Sequence, residues 1–152
     1  MSDARFEDGI NKPLRLIAFE AEDLQVISAV VQDAVLPVAE MTWRPKERRF
    51  ALLINRFCWE AAASDGAKRV QAVLSFEDVQ SVQTQGFDRL DTDLILSILS
   101  LTFESGADGM GHCVLTLAGN GTIRLQVEAL ETSLRDVTRP YVAPSGLTPN
   151  HD

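Results

Sequence analysis

The chemistry open to this chain begins with a run of cations. Arg44, Lys46, Arg48 and Arg49 place four of the 14 basic side chains within six positions, interrupted only by Pro45 and Glu47. Pro45-Lys46-Glu47 reads as a turn, so these side chains should fan out from a hairpin tip. An arginine offers a planar donor fork suited to phosphate or carboxylate. Trp43 and Phe50 flank the cluster and offer a surface on which a base or an aromatic ligand could stack. Arg56, with Asn55, interrupts an otherwise apolar strand. A buried arginine requires an anionic partner, and Glu40, Glu60 and Asp33 are the candidates. Trp43, Arg44, Lys46, Arg48, Arg49 and Arg56 thus form the candidate binding set. Against it stands a plainer account: a solvated turn with surface ion pairs, and a structural ion pair for Arg56.

The other chemistry-bearing residues have little to work with. His112 and Cys113 are adjacent on an expected strand, so their side chains point to opposite faces and cannot form a nucleophile–base pair. The second histidine, His151, lies near the C-terminus, which leaves little material for a triad or a histidine metal site. Asp88, Asp91 and Asp93, with Asp108 beyond, lack the glycine and terminal glutamate of a calcium loop. Gly106-Ala107-Asp108-Gly109-Met110-Gly111 runs from strand to strand, whereas a phosphate cradle needs a helix to follow its glycines. No catalytic residue, metal site or cofactor is expected.

These residues must be positioned by short elements. Leu14 to Phe19 reads as a strand, and Leu24, Ile27, Val31 and Ala34 stripe a helix over Ala21–Val35, with Glu22 and Asp23 in its first turn and Pro37 as its stop. Val38–Arg44 alternates as a strand and returns as Arg49–Trp59. Phe50 to Ile54 is apolar on both faces, so that strand should be central and covered on both sides. After a loop over Ala61–Lys68 come strands at Val70–Phe76, Val79–Phe87 and Leu94–Phe103, then a loop over Ser105–Gly111. Cys113–Leu117 and Ile123–Val127 flank Asn120-Gly121 as a hairpin. Leu130, Leu134 and Val137 fall at helical spacing, predicting a second helix over Glu128–Val137 that Pro140 stops. Leu24, Ile27, Val31, Leu130 and Leu134 are the expected buried stripes.

The resulting class is α+β: a mostly antiparallel, curled sheet or partly open barrel of about seven or eight strands, with one helix near the N-terminus and one at the C-terminus. Meandering strands closed by a terminal helix compare with pleckstrin-homology-like barrels by architecture alone. One domain over 13–140 is expected, with a loose segment at 1–12 and a polar tail at 141–152. A chain of 152 residues can bury about 70% of its unfolded surface, enough for a core without staples.

Composition narrows the partners. With 22 acidic and 14 basic side chains the formal net charge is −8, which disfavours nucleic acid and anionic membranes. Cys58 and Cys113 lie in apolar runs and read as buried, reduced thiols, not as a disulfide framework. Leu94–Phe103 is too short and polar to span a bilayer, and the N-terminus has no apolar signal segment. The expected setting is the cytoplasm.

One segment carries a resemblance. Glu47-Arg48-Arg49-Phe50-Ala51-Leu52-Leu53-Ile54-Asn55-Arg56-Phe57-Cys58-Trp59-Glu60, together with Asp23-Leu24 and Gln32-Asp33-Ala34-Val35 upstream and Gly119-Asn120-Gly121-Thr122-Ile123-Arg124-Leu125 downstream, resembles a bacterial family of unknown function across most of residues 14–140. The resemblance implies a small intracellular bacterial protein and no established activity. The reading that follows is a non-enzymatic binding or assembly module acting on a protein partner or as a homo-oligomer. The alternative is a small-molecule-binding protein or enzyme with a pocket inside the curled sheet near Arg56. RNA binding through the basic hairpin is a third reading, which the net charge opposes.

Overall fold

The computed structural model describes residues 13–58 and 68–139 and, as backbone alone, 141–142. The expectations for the loose N-terminal segment, for the loop over Ala61–Lys68 up to residue 67, and for the tail beyond 142 lie outside them.

Strand β1 (Arg15–Ala18) leads into α1 (Ala21–Val31), the one α-helix among the described residues. Leu24, Ile27 and Val31 are buried along one face of α1, and Glu22 and Asp23 sit in its first turn, where carboxylates complement the helix dipole. The helix ends before Val35. Asp33 turns left-handed at φ 67°, and its N–H goes to the Ile98 carbonyl at 2.8 Å. The chain is thereby diverted into β2 (Val35–Pro37), so Pro37 is a strand residue and not the helix stop. A single 3-10 turn (Val38–Glu40) follows, and the strand expected from Val38 begins only at β3 (Met41–Arg44).

The rest is strand: β4 (Arg49–Phe57), β5 (Lys68–Phe76), β6 (Val79–Gln85), β7 (Ile95–Ser105), β8 (Gly111–Leu117), β9 (Thr122–Val127), β10 (Thr132–Asp136) and β11 (Tyr141–Val142). The eleven strands among the described residues exceed the seven or eight expected because several are short or bent. All pairings are antiparallel, in the order β1-β10-β5-β4-β2-β7-β8-β9-β6, with β3 on β4 and β11 on β5.

Two layers result, β1-β10-β5-β4 with β3, and β7-β8-β9-β6. Val35 of β2 joins them by pairing with Asn55 on one side and Ser97 on the other. At another corner the ladder itself bends. Phe76 pairs with Thr132 and Val79 with Val127, so Glu77 and Asp78 face the longer stretch from Glu128 to Glu131. Bulged corners of this kind let a strand leave one layer and enter the next. Inner rows of both layers and the buried face of α1, which packs on β1, β4 and β7, share one core that includes Leu24, Leu52, Phe76, Leu115 and Leu134. The sheet curls without closing, since β3 pairs only with β4 and β6 only with β9.

The second helix is corrected to a strand. Leu130 and Leu134 are buried as expected, but β10 occupies Thr132–Asp136. A spacing of four satisfies a period of 2 as well as one of 3.6, and the true inward set is Leu130, Thr132, Leu134 and Asp136. The helix that would have plugged a pleckstrin-homology-like barrel is therefore a member of the sheet. Strand β4 is central, as expected, but it is covered on one side only: Phe50, Leu52 and Ile54 are buried while Ala51 and Leu53 are half-exposed.

Candidate functional site

The basic hairpin forms where the sequence places it. Met41 to Arg44 pair with Leu52 to Arg49, and the turn between them closes with Arg48 N–H donating to the Pro45 carbonyl at 3.1 Å. Its arginines are answered by carboxylates. Arg44 Nη1 lies 3.4 Å from Glu47 Oε2, Arg49 Nε lies 2.9 Å from Glu77 Oε2, and Arg48 pairs with Glu128. The hydrogen bond from Arg48, and then that from Gln80, holds the Glu128 carboxyl below its ordinary range. Hydrogen bonding to Glu77, followed by its charge, raises Arg49. Lys46 is exposed and makes no ion pair among the described residues. Trp43 points the other way, half-buried against the core.

Arg56 has a partner that local sequence does not show. Its side chain is fully buried. Nε donates to Asp136 Oδ1 at 2.9 Å, Nη2 to Asp136 Oδ2 at 2.8 Å and Nη1 to the Phe57 carbonyl at 3.3 Å. Asp136 Oδ2 also accepts the Leu14 N–H at 2.8 Å. Asp136 on β10 is an acid that the candidates Glu40, Glu60 and Asp33 did not include, and Glu60 lies outside the described residues. The bidentate pair ties β4, β10 and the entry to β1 together, and the concavities described below are not lined by Arg56.

His112 and Cys113 lie on opposite faces of β8. His112 pairs across the ladder with Glu104, while Cys113 is buried and, like Cys58, takes part in no disulfide. Burial pushes the Cys113 thiol up to about 12, against a weaker downward effect of the Thr132 hydroxyl. A thiol so placed is a poor nucleophile. The described residues hold no group of three or more His, Cys, Asp or Glu side chains able to share a metal ion, the aspartates around Asp88 included.

A broad concavity lies on the outer face of β1, β10, β5 and β4. Its volume is about 530 Å³, and Arg15, Ile17, Arg49, Ser75, Ser133 and Arg135 are among its walls. Register explains the arrangement. Arg15 stands opposite Arg135, and Ile17 opposite Ser133, which in turn faces Ser75 on β5 and, beyond it, Ala51 on β4. Small side chains therefore floor the middle of the sheet while long cations stand at its margins.

Asp136 N–H bonds the Leu14 carbonyl at 3.0 Å, so the next pair, Arg15 and Arg135, is of the non-hydrogen-bonded kind, in which side chains approach most closely. Both are exposed, and neither makes an ion pair among the described residues. Sequence reasoning missed these two because the helical reading of 128–137 hid the strand that aligns them. The alternation of Leu130, Thr132 and Leu134 was the available signal.

No helix among the described residues is long and apolar enough to cross a membrane. No curated protein and no solved structure matches the chain. A family profile covers nearly all of it, including the basic hairpin, the Arg56–Asp136 pair and both strands of the Arg15–Arg135 pair. With residues 14–151 matched, the chain belongs to the family described as Protein of unknown function (DUF2948).

Proposed function

We propose that this chain is a non-enzymatic binding module of the bacterial cytoplasm, and that the open face of β1, β10, β5 and β4 receives an acidic segment of a protein partner. The observation that carries the reading is the cross-strand pair of Arg15 and Arg135, in register and without a carboxylate opposite either. Like charges directly opposed in a sheet cost stability, and two adjacent guanidinium forks are suited to carboxylates. Of the hairpin residues Arg44, Lys46, Arg48 and Arg49, only Arg49 lines this face, where Glu77 on the same wall answers its charge, so Arg15 and Arg135 supply the unpaired cations. Trp43 and Arg56 point inward and do not join it.

A homo-oligomer built on the same face is disfavoured. A two-fold interface brings a patch against its own copy, which would oppose four unpaired cations. Two buried cysteines that form no disulfide fit a reducing compartment. Titrating a short poly-glutamate peptide into isotope-labelled protein tests the proposal. Saturable amide shifts at Arg15, Ile17, Ser133 and Arg135 are expected, weakening as salt shortens the screening length from about 8 Å. Their absence, or their survival in Arg15→Gln/Arg135→Gln, would overturn the reading.

A further inference from the structure

The sheet fails to close between β3 and β6, and we propose that this seam is a second binding site, for a small planar aromatic acid. It shares no wall with the open face and does not depend on that proposal. Near the hairpin the seam is held shut: Val79 N–H donates to the Arg48 carbonyl at 2.8 Å, and Arg48 pairs with Glu128 alongside. Further along, β3 is only four residues long and gives way to the 3-10 turn at Val38–Glu40, while β6 continues to Gln85. Among the described residues no strand joins the two edges. A cleft of about 310 Å³ opens there, walled by Met41, Trp43, Phe50, Val82, Thr84 and Arg89, with Val38 beneath.

Its chemistry selects a ligand class. The volume is at the lower end for ligand pockets, which fits a small molecule and not a helix. Trp43 and Val82 are half-buried and pack on the core from opposite sides of the seam, and each leaves part of its apolar surface lining the cleft. An aromatic ring stacked on the Trp43 indole would cover it. Met41 can adapt its shape to such a ring.

Arg89 supplies the charge. It is exposed at the rim and makes no ion pair among the described residues. Its neighbour Asp88 is engaged, with Oδ1 accepting the Leu90 N–H at 2.9 Å. A carboxylate on the ring would meet this guanidinium. Thr84 and the unpaired strand edges offer further polar groups to orient it.

Phenylacetate and its neutral analogue phenylacetamide are the probes, followed by amide and indole shifts of the labelled, full-length protein. Saturable shifts at the Trp43 indole N–H and at Val82 are expected. Phenylacetate should bind about fivefold more tightly than the amide, the value of an exposed ion pair of about 1 kcal/mol. Arg89→Gln should erase that preference while leaving amide binding in place, and Trp43→Leu should remove both. Because Arg89 is exposed, its variant folds whether or not Trp43→Leu does. Shifts absent from the cleft with both probes, equal affinity for acid and amide, or a preference that survives Arg89→Gln would each overturn the proposal.

Discussion

Strand β10 shows the same chain segment meeting charge in two ways. On its inner face Asp136 is buried, and both carboxylate oxygens are taken by the Arg56 guanidinium. One residue earlier, on its outer face, Arg135 stands opposite Arg15, and neither makes an ion pair among the described residues. Inside, a charge is tolerated only because its counter-charge folds with it, since desolvation would otherwise exceed any gain. Outside, water screens the repulsion, and a positive pair can be held for something that is not part of the fold. The contrast separates an arginine whose charge is met inside the fold from arginines left exposed on its surface.

The comparison breaks most visibly at Arg56. Arg56→Met should destabilise by about 3–5 kcal/mol, because it leaves the Asp136 carboxylate buried without its counter-charge. The double variant Arg56→Met/Asp136→Leu should regain most of that loss. Chemical denaturation of the three proteins checks both statements. Single-variant loss below about 1 kcal/mol would mean that water reaches the pair.

Next in size is Leu134, fully buried between the two arginine-bearing faces. Leu134→Ala should cost about 2–5 kcal/mol, whereas Ser133→Ala, on the half-exposed outer face, should change the denaturation midpoint little.

Alkaline pH sharpens the same inside–outside contrast. The Cys113 thiol is raised from 9.0 to about 12. Above the ordinary value the unfolded chain loses this proton while the folded chain keeps it, so stability falls as pH rises. The slope should approach about 1.4 kcal/mol per pH unit between the two values. Comparing unfolding of the parent and of Cys113→Ala across that window isolates the contribution, which the variant should lack.

The smallest effect belongs to the outer pair. Arg15→Gln should leave stability unchanged or raise it by about 0.2–0.5 kcal/mol as the opposed charge is relieved. In the same protein the poly-glutamate titration should weaken. A loss of stability at this position would mean that the arginine has a structural role after all.

Local patterning announced many of these features and misassigned others, the 128–137 segment above all. The hairpin around Asn120-Gly121, the turn after Arg44 and the buried stripe of α1 are set by residues close in sequence, so they could be read there. The Glu128–Val137 segment could not. Its two leucines suit either period, and the position that would have displayed strand alternation is occupied by Asp136, a charge that reads as exposed until Arg56 is seen against it. Both proposed sites suffered from this. The open face needs β10 to align Arg135 with Arg15, and the seam exists only because β3 and β6, far apart in sequence, end beside each other unpaired.

The sequence by itself determined that this is an antiparallel α+β chain with a basic hairpin, two thiols in apolar runs and a buried arginine in need of an acid. Those properties follow from alternation, turn chemistry and the cost of burying charge, all of them local. Only the tertiary structure decided that the acid is Asp136, eighty positions from Arg56, and that Arg15 and Arg135 stand side by side. Strand register couples residues through ladders whose partners are remote in the chain, and a one-residue slip would carry every one of these side chains to the opposite face.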